Sequence, residues 1–326
     1  MVLAGMLLSI PASGSKTTYE YYVWGNPDDV VTPTSGGLLL AGGDSDVAAG
    51  MLWMIGKSGG GDFVVIRAAG TDAYNPWIFK QLGGVNSCET IIILEEEACF
   101  EAFVLDKIRS AEALFIAGGD QWNYVSMWKG TPVEDAIHYV AAKPAPVGGT
   151  SAGLAVLGEF VFSAENDTIE SDDALKNPYN RRVAIESDFL DLSNMDDTIT
   201  DSHFVARDRM GRLVTFLARI VQDGRATEAR GIGVNEKTAL GVEPNGDVKF
   251  FGLCDEVSSA YFLCTPGPPE VCEPKTPLTY LGISVYKITA TGTFNLASWE
   301  GGGGVAYSLS AVDGVLTSTQ ADGSIY

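Results

Sequence analysis

The stretch GGTSAGLAVLG, from Gly148 to Gly158, sets one serine among small residues between a strand-like run and a helix-forming one. Gly149-Thr150-Ser151-Ala152-Gly153 fits the pattern G-x-S-x-G. That pattern suits a nucleophile. Small neighbours let the backbone make a strained turn at a strand end, and the helix behind it aims N–H groups at developing negative charge. The pattern is short enough to arise by chance, so its place after a strand carries much of its weight.

A serine needs a base. The chain has two histidines. His138 falls on an expected helix, off its apolar face, and reads as solvated. His203 lies in TITDSHFVARDRMGRL, beside Arg207, Arg209 and Arg212. A lone histidine is more often structural, but His203 is the better candidate by elimination. The base in turn needs an orienting group, usually a carboxylate. With 42 acidic residues, composition cannot choose it. Glu236 in RGIGVNEKTALGVE is the best placed, after a glycine-flanked apolar strand. The chain order is then Ser, His, Glu. The α/β-hydrolase order is Ser, acid, His, so the same chemistry on another fold is implied.

The elements that must position these residues alternate between strand and helix over 20–255. GGLLLAGG (36–43), DFVVIRAAG (62–70), TIIILEE (90–96), AEALFIAGGD (111–120) and PAPVGGTS read as strands. Segment 46–61 reads as a helix with a glycine stop. Thr131 caps another, with Pro132 at its first position and Val133, Ala136, Ile137 and Val140 as its apolar face. Strands with helical crossovers predict an α/β fold, a mostly parallel sheet flanked by helices. In such sheets ligands bind beyond the carboxyl ends of the strands. Here those ends read GGDSD, AAGTDAYNP, AGGDQWNY and GGTSAG, which points to one shared site. The last third changes character, with hairpins expected about Asn245-Gly246 and Asp313-Gly314. The expected layout is a tail or signal remnant at 1–19, an α/β domain at 20–263, a Cys/Pro-rich linker at 264–277 and a small β extension at 278–326.

Composition narrows the partners. With 46% hydrophobic residues the 326-residue chain can bury a full core. No apolar run reaches the ~20 residues of a membrane helix. Lys plus Arg total 21 against 42 Asp plus Glu, a net charge of -21 that opposes nucleic acid and tolerates a cationic substrate. No C-x-x-C or H-E-x-x-H occurs, so no metal and no cofactor is expected. Cys264 and Cys272 flank TPGPPEV and are expected to form a disulfide. Cys88 and Cys99 are a second candidate pair, and Cys254 makes the count odd. MVLAGMLLSIPASGS resembles the end of a secretion signal without its positive start, so secretion is the expectation and the cytoplasm the alternative. Asn166-Asp167-Thr168 is a weak glycosylation sequon.

FIAGGDQWNYV, GGTSAGLAVLGE, TDSHFVARDRMGRL and GIGVNEKTALGVE resemble, in order, four signature blocks of the cyanophycinases. These are serine peptidases related to the aspartyl dipeptidases of the peptidase E type. GGDFVVIRAAGTDAYNP also looks like the family's secreted-type members. The likeness covers about residues 30–260. It implies a flavodoxin-like or class I glutamine-amidotransferase-like sheet, with Ser151 as nucleophile, His203 as general base and Glu236 as orienter. It also implies Gly119 and Ala152 as backbone donors to the oxyanion. Gln121, Asp201, Arg207, Arg209 and Arg212 would surround the substrate, one or two of the arginines reaching into the pocket and the rest pairing with Asp201 and Asp208. The substrate implied is cyanophycin, a poly-aspartate with arginine on each side-chain carboxyl, or a related aspartyl peptide, and a homodimer is suggested. Family members usually carry glutamine just before the histidine. Here Ser202 stands there, a shorter group that puts substrate preference in question.

Overall fold

The computed structural model describes residues 17–253 and 257–326. The signal-like segment up to Ser15 and Cys254 lie outside the described residues.

The strands are β1 (Tyr19–Gly25), β2 (Gly37–Ala41), β3 (Asp62–Arg67), β4 (Ser87–Ile93), β5 (Ala113–Ile116) and β6 (Pro146–Thr150) in the first half of the chain. A two-stranded ribbon, β7 (Val161–Phe162) and β8 (Ile185–Glu186), follows, then β9 (Thr198–Asp201), β10 (Arg230–Val234), β11 (Thr238–Val242) and β12 (Asp247–Gly252). The last are β13 (Ala260–Cys264), β14 (Tyr280–Ile288), β15 (Thr293–Asn295), β16 (Glu300–Gly302), β17 (Val305–Val312) and β18 (Val315–Ser318).

They build two large sheets. The first runs β1-β4-β3-β5-β6-β2-β11-β12-β15-β16. Its middle, β4 to β2, is parallel, and the strands added at both sides are antiparallel. The central strands carry continuous apolar runs, as strands covered on both faces must. Leu38 and Leu40 point into one core cluster and Leu39 and Ala41 into the other, the period-2 alternation of a pleated strand. Helix Pro132–Ala142 covers the first face with the expected Val133, Ala136, Ile137 and Val140, and Thr131 Oγ1 accepts from the Val133 N–H at 3.3 Å. Helix Ala48–Lys57 covers the second face with Met51, Met54 and Ile55. No described helix is long and apolar enough to cross a membrane.

The second sheet runs β18-β17-β14-β13-β10-β9, with only β9 and β10 parallel. Ile232, Val234 and Phe262 share the first sheet's core, while the other face packs on helix Met210–Gln222 through Leu213, Phe216 and Leu217. Residues 278–326 complete both sheets: β14, β17 and β18 extend the second, and β15 and β16 extend the first. Both expected hairpins form, β11 with β12 and β17 with β18. Asp313 and Gly314 both take positive φ, 49° and 78°, the twist that a two-residue hairpin turn favours.

The expected disulfide does not form. Cys264 and Cys272 are free thiols, as are Cys88 and Cys99. The loop between Cys264 and Tyr280 is closed by hydrogen bonds instead. Val271 and Thr279 exchange two backbone bonds, and the Tyr280 hydroxyl donates to the Gly267 carbonyl at 2.7 Å. Cys272 fills the core beneath the second sheet, and burial pushes its thiol up to about 12. Free-thiol alkylation of the denatured, unreduced protein should therefore label both Cys264 and Cys272 in peptide mass spectra. Protection of both until reductant is added would restore the disulfide.

Candidate active site

Ser151 follows β6 directly and precedes the short helix Ala152–Ala155. Its backbone sits at φ 53° and ψ −112°, a conformation a non-glycine residue adopts only under constraint. The constraint is close packing. A Cβ on Gly153 would lie 2.0 Å from the Ile116 carbonyl oxygen, and one on Gly149 would lie 2.4 Å from the Gly153 oxygen. Small residues around the serine are thus a steric requirement of the turn.

His203 and Glu236 come from the other sheet, at the carboxyl ends of β9 and β10. The two sheets meet at Gly42 and Gly43, just past β2. The His203 N–H donates to the Gly42 carbonyl at 2.8 Å, and the Lys237 N–H donates to that of Gly43 at 3.1 Å. This seam brings the three side chains together. Ser151 Oγ lies 2.8 Å from His203 Nε2, and His203 Nδ1 lies 2.7 Å from Glu236 Oε1. With the proton on Nδ1, the imidazole donates to Glu236 and offers Nε2 as acceptor to the serine hydroxyl. Burial and the cations of Arg207 and Arg209 disfavour the imidazolium and outweigh Glu236, so His203 titrates below the ordinary histidine value of 6.5.

Ser151 opens into a cavity of about 320 Å³ whose walls include Gly119, Gln121, Ala152 and the arginine run. Ala152 is the first residue of its helix, so its N–H has no intrahelical acceptor. Among the described residues nothing accepts from the Gly119 N–H either. A Cβ at Gly119 would meet the Tyr124 hydroxyl at 2.6 Å, so a larger residue there would have to displace that ring. Gln121 donates to the Phe162 carbonyl at 3.3 Å.

The three arginines have different surroundings. Arg212 is 2% exposed and grips Asp201 with two bonds, Nε to Oδ2 at 2.7 Å and Nη2 to Oδ1 at 2.5 Å. Arg209 reaches Asp201 at 3.2 Å, the Ser202 carbonyl at 2.8 Å and the Ser202 hydroxyl at 3.3 Å. Desolvation lowers Arg209 to about 10, where it is still cationic at neutral pH. Arg207 is exposed on the cavity and has no carboxylate partner among the described residues. Asp201 and Arg212 thus form a buried buttress in the cavity wall, and Arg207 is the cation left for a ligand. His138 stands apart, its Nε2 accepting from the Asp191 N–H at 3.0 Å.

Two contributors were not assigned roles from the sequence. Asn235 accepts from the Val205 and Ala206 N–H groups through Oδ1, at 3.0 and 3.1 Å, and so ties the histidine loop to β10. Gly43 backs the histidine: a Cβ there would come within 2.6 Å of His203 Nε2. The glycine pair at the end of β2 was the available signal.

The model of peptidase family S51 matches residues 78–246, just over half of the chain. The chain belongs to peptidase family S51. Among the most similar relatives is a cyanophycinase of Trichormus variabilis, 30% identical over 176 residues, covering 54% of this chain and 53% of that protein. A cyanophycinase of Synechococcus elongatus is 26% identical over 176 residues, covering 54% of this chain and 49% of its own length. The match thus spans about half the length of these relatives. Among solved structures, a peptidase from an acI-B1 Actinobacterium superposes with a TM-score of 0.50 at 17% identity, covering 70% of this chain and 91% of that one. That likeness supports the α/β architecture.

The acid limb of kcat/KM, which reports the free enzyme's base, should have its midpoint below 6.5, the ordinary histidine value. In Arg207→Ala one positive neighbour is gone, so the imidazolium is less disfavoured and the midpoint should rise. A pH profile of both proteins checks this. An unmoved or lowered midpoint would remove Arg207 from the electrostatics of His203.

Proposed function

We propose that this chain is a serine peptidase that cleaves aspartyl peptides, with cyanophycin as its substrate, through Ser151, His203 and Glu236. The observation that carries the reading is the hydrogen-bonded series from Ser151 Oγ through His203 to Glu236, set on a strained turn in an arginine-lined cavity. His203 Nε2 takes the Ser151 hydroxyl proton as Oγ bonds to the substrate carbonyl carbon. The oxyanion formed faces the Gly119 and Ala152 N–H groups. Collapse breaks the C–N bond, and His203 returns its proton to the leaving amine. Water then attacks the acyl-serine, giving its proton to Nε2, and as the ester bond breaks His203 passes that proton to Ser151 Oγ. Glu236 holds the imidazole in the tautomer with Nδ1–H and stabilises its transient charge.

The substrate class rests on charge. Arg207 offers an unpaired guanidinium to a substrate carboxylate or carbonyl oxygen beside the reacting bond. The net charge of -21 opposes a bare polyanion and favours one whose carboxylates carry arginine. Ser202, buried and hydrogen-bonded by Arg209, is a shorter wall than the glutamine that the family resemblance implies there. The expected secretion rests on residues 1–15 of the sequence, and four free thiols among the described residues do not require it.

Ser151→Ala and His203→Ala should each cut turnover by roughly 10⁴-fold or more with the fold retained, while His138→Ala should be nearly silent. Matched turnover and melting measurements check this, and equal effects of the two histidine changes would defeat the assignment. On purified cyanophycin, product mass spectrometry should show Asp-Arg dipeptides. Its kcat/KM should exceed that for poly-aspartate, most clearly at low salt. Equal rates on both polymers would reject cyanophycin as the preferred substrate.

A further inference from the structure

Tyr326 lies 116 residues beyond Met210 in sequence, yet it touches the loop that carries the histidine and the arginines. Its ring stands edge-on to Phe204 and Tyr261, at centroid distances of 6.0 and 5.8 Å. Phe204 follows His203 directly. The Tyr326 hydroxyl accepts from the Met210 N–H at 2.9 Å and donates to Asp208 Oδ1 at 2.8 Å. One side chain therefore holds the residues on either side of Arg209, the first of which directly follows Arg207.

The tail that delivers this ring is itself held. The Tyr307 hydroxyl donates to the Ile325 carbonyl at 2.8 Å, Ser324 Oγ donates to the Tyr326 carbonyl oxygen at 2.9 Å, and Gln320 Nε2 donates to the Ser324 carbonyl at 2.7 Å. The turn it braces needs holding. His203 and Asp208 both take positive φ, 47° and 46°. Local backbone of that kind persists only when its surroundings fix it. On the inner side the Asn235 carboxamide holds Val205 and Ala206. On the outer side the Ser171 hydroxyl donates to the Asp208 carbonyl, and Tyr326 holds the Asp208 carboxylate and the Met210 N–H.

We infer that Tyr326 is a positioning residue for substrate binding: its hydroxyl locks the Asp208–Met210 turn and so sets where Arg207 and Arg209 stand in the cavity. It acts through the arginines and touches neither Ser151 nor His203. The inference rests on the aspartyl-peptidase reading of that cavity.

Tyr326→Phe keeps the ring between Phe204 and Tyr261 and removes only the hydroxyl. KM for the aspartyl substrate should rise about fivefold, the scale of losing a charge-assisted hydrogen bond, while kcat stays within about twofold. Hydrogen exchange by mass spectrometry should quicken at the Met210 amide and leave β9 and β10 unchanged. Asp208→Ala should raise KM similarly, and the double variant should be no worse than the worse single one, because both remove the same lock. A KM within twofold of the parent in Tyr326→Phe, a fall confined to kcat, or additive effects in the double variant would each overturn the inference. A parent protein inactive on every aspartyl substrate would overturn the functional reading alone. The lock itself would then stand or fall on the exchange at Met210.

Discussion

Gly42 and Gly43 bear the constraint on which the rest of the site depends. A Cβ at Gly42 would lie 1.9 Å from the Asn235 carbonyl oxygen, and one at Gly43 would press on the His203 ring. Without side chains, this backbone runs against the turns that leave β9 and β10 and bonds to both. The two sheets are thereby joined at the level of Ser151. The chain itself crosses the same seam: only Asn235, Glu236 and Lys237 separate β10 in one sheet from β11 in the other. Glu236 sits in that crossing, so the carboxylate bonded to His203 is fixed by the path of the main chain as well as by its own rotamer.

Burial of charge does a second part of the positioning. Asp201 lies at the end of β9 with its carboxylate shared between Arg212 and Arg209. A buried ion pair adds little net stability, since desolvation offsets its attraction, but breaking one partner leaves an unpaired buried charge. The pair therefore acts as a stiff strut between β9 and helix Met210–Gln222. It spends two of the three arginines on structure and leaves Arg207 facing the cavity. A protein of net charge -21 thus presents a local cation in the cavity that Ser151 lines. Burial and, after it, that local field hold His203 below the ordinary histidine value.

The strands after residue 278 tie the functional loops to the remainder of the fold. They extend both sheets, and the Tyr307 hydroxyl on β17 holds the Ile325 carbonyl next to Tyr326. The Cys/Pro-rich loop at 264–277 belongs to the same layer. Just past it the Leu278 N–H bonds to the Leu175 carbonyl at 2.8 Å, and within it Cys272 sits in the shared core. A loop already closed by backbone pairing and by apolar burial holds its shape without a disulfide.

Local patterning in the sequence determined a good deal. Apolar runs and 3.6-residue spacing marked the parallel strands and the helix over 132–142, because burial on one or two faces dictates those periods. The small residues around Ser151 announced a strained turn, since only they fit it. Two histidines made the base a choice between two. Other features were decided by tertiary structure alone. Nothing local says that β9 and β10 leave the first sheet for a second one, because both alternatives satisfy the same apolar pattern. Whether Arg212 binds substrate or buttresses Asp201 depends on a partner eleven residues away across a turn. The state of Cys272 depends on what packs around it. The reach of Tyr326 to Asp208 depends on the whole C-terminal sheet. Each of these is a contact between residues distant in sequence, and such contacts are set by packing and not by local preference.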